Sequence, residues 1–169
     1  MVFENHVLTE SNDIARELYD KSVFGTLLKN GQLQLSFIEA LYLYEHEKIT
    51  IYKSKDKPYE FDAFKKKAKR FEKNILTRYA VYKDLRDKGY VVKTALKFGA
   101  DFRVYDKGIK PGEDHAKWVV YPVPEGKEFS WQEFSAKNRV AHSTRKRLLI
   151  GVVDEEDDVT YYEVNWLKP

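Results

Sequence analysis

The chain has 169 residues, 43% of them hydrophobic, which suits one sizeable domain or two small ones and is an ordinary globular composition, not a disordered one. It contains no cysteine, which excludes disulfides and thiolate metal sites, and no apolar run approaches the ~18 residues that a membrane-spanning helix needs. Thirty basic residues against 27 acidic leave a net charge of +3, so the placement of charge says more than its sum.

Residues 1–13, with Glu4, Asn5, His6 and Glu10, have neither the basic nor the apolar region of a signal peptide, and a cytoplasmic protein is expected. The segment to about Leu35 reads as irregular. Short strands at Val23–Leu28 and Leu33–Leu35 flank the turn signal Asn30-Gly31. Ser36-Phe37-Ile38-Glu39 has capping-box spacing and predicts a helix to about Glu47. Ile49–Lys53 alternates as a strand does, and Ser54–Pro58 is a polar turn.

From Phe61 to Lys88 the pattern is helical, with Phe64, Ala68, Phe71 and Ile75 on one face and Gly89 as its stop. So long a helix is unusual in a small domain. A break near Lys73–Ile75 is therefore expected, dividing an N-terminal domain, 1–74, from a C-terminal one, 75–169. The second half predicts strands at Tyr90–Thr94, Asp101–Tyr105, Trp118–Val123, Leu148–Val153 and Val159–Val164. A second capping box, Ser130-Trp131-Gln132-Glu133, should open a helix to about Thr144. The fold class is α+β: a small N-terminal α/β domain, then a domain with a central mixed sheet flanked by helices.

Three features carry chemistry. The stretch 135–150 has no acid but holds Lys137, Arg139, His142, Arg145, Lys146 and Arg147. It is either a solvated basic helix end or a phosphate-binding face. The polar loop after Tyr105 carries His115, a surface residue unless a partner gives it work. The acidic run Asp154, Glu155, Glu156, Asp157 and Asp158 lies between two strands, without calcium-loop spacing. It is a solvated hairpin tip or a docking loop for a basic surface. No GxGxxG fingerprint or P-loop occurs, so no cofactor is expected. Asp101 with Glu125-Gly126-Lys127 can be forced into a metal-nuclease pattern, but the adjacent prolines make that stretch a turn.

The run Tyr79-Ala80-Val81-Tyr82-Lys83-Asp84-Leu85-Arg86-Asp87-Lys88-Gly89-Tyr90-Val91-Val92-Lys93 resembles the signature of the archaeal tRNA-splicing endonuclease (tRNA-intron endonuclease) family. So do Lys97-Phe98-Gly99-Ala100-Asp101-Phe102-Arg103-Val104-Tyr105 and Arg139-Val140-Ala141-His142-Ser143-Thr144-Arg145-Lys146, and the likeness runs to Lys168-Pro169. Leu35-Ser36-Phe37-Ile38-Glu39-Ala40-Leu41-Tyr42-Leu43 resembles a helix of the family's N-terminal domain, which suggests a full-length subunit.

The resemblance implies metal-free cutting of precursor tRNA, folded as a bulge-helix-bulge, at both intron boundaries. The RNA's own 2′-hydroxyl is the nucleophile, leaving a 2′,3′-cyclic phosphate and a 5′-hydroxyl. It implies Tyr105 as general base, His115 as general acid and Lys146 as the stabiliser of transition-state charge. Tyrosine is the awkward member, since a phenol with pKa ~10 is a poor base until cations lower that value. Arg139 is implied as one arm of a clamp on a flipped base, with Tyr161 or Trp166 as candidates for the other. The acidic loop, residues 154–158, is implied to dock into a neighbouring subunit of a homotetramer, although five acids without a glycine depart from a tight turn. Three rivals stand beside this reading: a non-cutting structural subunit of a mixed enzyme, a metal-dependent nuclease and, behind these, a non-enzymatic RNA-binding module.

Overall fold

The structure is a computed structural model and describes residues 2, 6–54, 57–96 and 99–167. Lys97, Phe98, Lys168 and Pro169, which belong to the resembling blocks, lie outside the described residues, as do residues 55–56 of the expected polar turn. The chain forms two compact units, Met1–Tyr79 and Ala80–Pro169.

The first unit begins with β1 (His6–Leu8) and α1 (Asp13–Asp20), followed by β2 (Thr26–Leu27) and β3 (Leu33–Ser36). The strands make an antiparallel sheet in the order β1-β3-β2. Helix α1 corrects the expectation of an irregular start. It buries only Ala15 and leaves Ile14 60% exposed, although Ile14, Ala15, Leu18 and Tyr19 recur at helical spacing in the sequence. Its clearest sign is Asn12, whose side chain accepts the Ala15 N–H at 2.9 Å. The strand expected over Val23–Leu28 shrinks to two residues because Val23 and Gly25 both take left-handed backbone, each at φ +59°. Only glycine fits at 25, where a Cβ would come within 2.4 Å of the Gln34 carbonyl oxygen.

Helix α2 (Phe37–Glu45) starts at the predicted capping box, with Ser36 and Glu39 bonded reciprocally. Glu39 is buried, and its second carboxylate oxygen accepts the Gly25 N–H at 2.8 Å. One side chain thus caps α2 and pins the bend before β2. A small hairpin, β4 (Tyr52–Ser54) and β5 (Lys57–Pro58), replaces the single strand and turn expected there. Then α3 (Phe61–Phe71) buries Phe64 and Ala68.

Helix α3 ends where Glu72 becomes extended (φ −141°, ψ 104°), and α4 (Ile75–Asp87) begins three residues on, which is the expected break. The second unit adds β6 (Val91–Thr94), β7 (Phe102–Tyr105), β8 (Trp118–Pro124), α5 (Trp131–Ser143), β9 (Arg147–Val153) and β10 (Val159–Val164). These are the strands and helix read from the sequence, displaced by a residue or two at their ends. The sheet order is β10-β9-β8-β7-β6, antiparallel except for β8 beside β9. A parallel pair needs a crossover, and α5 supplies it.

Period-2 alternation sorts the sheet's faces. Val119, Tyr121, Val123, Leu148 and Ile150 form one core with Ala141 of α5. The opposite face meets α4. Tyr82 lies 5.7 Å from the Phe102 ring, and a Cβ on Gly151 would sit 2.9 Å from Val81. Both faces of β8 and β9 are covered, which explains why they read as continuous apolar runs. Pro122 is tolerated within β8 because the pairing with β7 reaches only as far as Val120. Among the described residues no helix is long and apolar enough to cross a membrane.

Candidate active site

One cleft of about 320 Å³ is lined by Arg103, Tyr105, Gly112, Glu113, Asp114, His115, Ala116 and Lys146. It therefore holds Tyr105, His115 and Lys146 together, from three separate parts of the chain. It sits at the end of the sheet where β7 finishes and β8 and β9 begin.

Tyr105 is the last residue of β7 and is buried. Arg103 precedes it by two, so the pleat turns both toward the face that α5 covers. The Arg103 guanidinium carbon lies 6.0 Å from the centre of the Tyr105 ring. Sequence reading missed Arg103, although its i−2 spacing from Tyr105 within a strand was the signal.

His115 is exposed on the loop between β7 and β8. The loop is pinned at its base, where Lys117 donates its N–H to the Val104 carbonyl at 2.8 Å and its ammonium lies 3.3 Å from Asp106. Farther out, Lys110 donates its N–H to the Glu113 carboxylate at 2.9 Å, and the Glu113 N–H returns to the Lys110 carbonyl. Buried Ala116 anchors the chain directly after His115.

Lys146 owes its place to how α5 stops. Thr144 is the last capping residue, and Arg145 turns left-handed at φ +54°. The Lys146 N–H then bonds the Ala141 carbonyl at 2.9 Å, and the Arg145 N–H bonds the His142 carbonyl at 3.0 Å. This pair of bonds is a Schellman motif, here with arginine at the position that usually takes glycine. The Lys146 ammonium donates to the Thr144 carbonyl at 2.8 Å. Burial first, and then the Arg103 guanidinium, hold its pKa below the usual lysine value. The cleft thus gathers two cations, a phenol and an imidazole, a set able to bind a phosphate and move protons beside it, while the carboxylates of Glu113 and Asp114 in its lining accept the backbone N–H groups of Lys110 and His115.

Arg139 is not in this cleft. It lines a second one, about 370 Å³, with Phe134, Ser135, Asn138, His142 and Trp166. His142 and Trp166 meet edge to face at 4.5 Å. Of the two candidates for a second stacking arm, Trp166 shares the cleft with Arg139. Tyr161 is engaged elsewhere, its hydroxyl donating to Asp84 of α4 at 2.7 Å.

The acidic run forms the tip of the β9–β10 hairpin. The Asp154 carboxylate accepts the N–H groups of Glu156 at 3.0 Å and Asp158 at 2.9 Å. Asp157 takes the left-handed backbone at φ +66°, a conformation aspartate tolerates better than most residues. That is how the turn closes without a glycine. Glu125 and Lys127 lie in the turn after β8, where Lys127 donates its N–H to Pro124. Among the described residues no group of three or more His, Asp or Glu side chains is arranged to hold a metal ion.

Two family models match the chain: the tRNA intron endonuclease N-terminal domain over residues 3–65, and the tRNA intron endonuclease catalytic C-terminal domain over residues 75–161. Similar proteins include a tRNA-splicing endonuclease of Nanoarchaeum equitans, 46% identical over 87% of this chain and 97% of the relative. Another, from Thermococcus onnurineus, is 42% identical over 97% of this chain and 93% of the relative. A third, from Methanothermobacter thermautotrophicus, is 40% identical over 96% and 94%.

Proposed function

This chain belongs to the tRNA intron endonuclease family, and from that membership we propose that it is a tRNA-splicing endonuclease whose cutting cleft is the one holding Tyr105, His115 and Lys146. The meeting of these three side chains in one cleft carries the reading. Its substrate is precursor tRNA folded as a bulge-helix-bulge, cut at both intron boundaries without a metal, in the cytoplasm.

In the proposed reaction the scissile phosphate lies between the two cations of the cleft. Tyr105 takes the proton of the adjacent 2′-hydroxyl as O2′ bonds to phosphorus. His115 gives a proton to O5′ as the P–O5′ bond breaks. The products are a 2′,3′-cyclic phosphate and a 5′-hydroxyl. Lys146, fixed by the Schellman turn, stabilises charge on the non-bridging oxygens as it develops, as an oxyanion-hole donor does. The catalytic domain runs from residue 75.

Arg139 and Trp166 form the base clamp in this proposal, since both line the second cleft and planar groups grip an unstacked base without reading its identity. The hairpin tip at 154–158 docks into a neighbouring copy, giving a homotetramer with two cutting sites at a fixed separation.

The test is incubation of the purified chain, in excess chelator, with a bulge-helix-bulge RNA beside His115→Ala. The expected result is two cuts ending in cyclic phosphates, with the variant slower by about 10²- to 10⁴-fold. Cutting that needs added magnesium would overturn the metal-free chemistry. Tight binding without cutting would instead favour a non-cutting subunit.

A further inference from the structure

Residues 65–73 hold Lys65, Lys66, Lys67, Lys69, Arg70 and Lys73 against the single acid Glu72. That is six of the fourteen cations of residues 1–79 but one of their twelve acids, so the rest of that segment is net negative. The stretch comprises most of α3 and the link after it. Phe64 and Ala68 bury the opposite face, and Lys66, Lys69, Arg70 and Lys73 are exposed.

Lys65 with Lys69, and Lys66 with Arg70, are like charges four residues apart, a spacing that works against a helix. A face that merely kept the domain soluble would mix both signs along it. The helix C-terminus favours Lys69 and Arg70, which lie in its last turn, but not Lys65 and Lys66 in its middle. Phe71, on the side of α3 that carries Phe64 and Ala68, is 53% exposed, its ring centre 5.6 Å from that of Phe37 and 5.5 Å from the Lys67 ammonium. Lysines and arginine in a row suit a strand of phosphates.

We propose that this face of α3 is a second RNA-binding surface, one that holds the sugar-phosphate backbone of the precursor tRNA and takes no part in the chemistry. It rests on the RNA-cutting reading. The reacting cleft is built from the second unit alone, so the α3 face acts on affinity and not on the bond-breaking step. A row of cations along a helix fits a linear polyanion better than it fits a hairpin tip, whose Asp154 already caps its own turn.

The experiment compares the wild type with Lys65→Gln/Lys66→Gln/Lys69→Gln/Arg70→Gln. A control of equal charge change, Lys29→Gln/Lys48→Gln/Lys53→Gln/Lys57→Gln, removes scattered exposed cations of the same unit. Affinity for a full precursor tRNA is measured across salt, and the cutting rate is measured at saturating RNA. The α3 variant should bind about tenfold more weakly at physiological salt, with a salt slope shallower by about two. Its saturating cutting rate should match the wild type and its melting temperature should be no lower, since two like-charge pairs are relieved, and the control should lose much less affinity.

Unchanged affinity and slope, or equal loss in the control, overturns the inference. A saturating rate that falls with affinity overturns it too. So does a change in subunit association with RNA binding intact, which would make the face a docking site for protein. If the wild type cuts no RNA, the functional reading fails separately.

Discussion

Replacing Arg145 by glycine should make the protein more stable, although it removes a charged side chain beside the candidate active site. Arg145 sits at φ +54° as the left-handed residue of the Schellman turn that ends α5. An L-residue pays about 1–2 kcal/mol there that glycine does not. Glycine gives part of this back, about 0.4–1 kcal/mol, through the greater freedom of its unfolded chain. The balance is a gain of about 0.5–1 kcal/mol, which for a chain of this length raises the melting temperature by about 2–3 °C. Arg145→Val should move the other way by at least as much, since a β-branched side chain is worse still in left-handed backbone. Thermal unfolding of the three proteins under one condition reads the order directly. In Arg145→Gly the two turn hydrogen bonds are intact, so Lys146 stays in place and the saturating cutting rate should stay within about twofold. A melting order with glycine at or below valine would refute both the strain and its role in setting Lys146.

Gly151→Ala should destabilise by about 1–3 kcal/mol, because its Cβ would press within 2.9 Å of Val81, and Val81→Ala in the same chain should recover at least about 1 kcal/mol of the combined loss in a double-mutant cycle by denaturant titration. The lowered Lys146 pKa means that its cation disappears, as pH rises, before that of an exposed lysine. RNA affinity of the His115→Ala protein should therefore begin to fall below the usual lysine value of 10.5, with Arg103→Gln moving that fall upward and Lys146→Arg removing Lys146's share of it. Ser130→Ala removes the side chain that accepts the Glu133 N–H at 3.2 Å, and should cost about 1 kcal/mol in thermal unfolding while the cutting rate at low temperature stays the same.

What could be read from the sequence followed from where local chemistry was decisive. Both capping boxes announced their helices, since Ser and Glu three apart can satisfy the free N–H groups whatever packs around them. The strands of the second unit were visible because both faces of β8 and β9 are covered, which leaves long apolar runs. Helix α1 was legible but passed over: Asn12 can cap it, and Ile14, Ala15, Leu18 and Tyr19 fall at helical spacing even though only Ala15 is buried. The strand around Val23 was over-read because propensity carries no record of the left-handed residues at 23 and 25.

At the site, Tyr105, His115 and Lys146 were nameable only through resemblance. A tyrosine at a strand end, a histidine in a loop and a lysine after a helix have no mutual spacing, and only the sheet's order joins them in one cleft. Arg103 was within reach of strand periodicity and was overlooked. The neighbourhood of Arg139 and Trp166 depends on a chain end coming back beside α5, which no local pattern encodes.

The turn at Asp154 has one more consequence. Because that carboxylate holds the backbone of Glu156 and Asp158, the shape of the hairpin tip depends on residue 154 and on the left-handed residue 157, and little on the side chains of Glu155, Glu156 and Asp158. A tip already fixed loses little freedom when something closes over it. Its outward residues can also be exchanged without rebuilding the loop. In the proposed docking, the same scaffold can be retuned toward a different neighbour by changing Glu155, Glu156 and Asp158, so partner choice can drift while the cleft and its supporting sheet stay as they are.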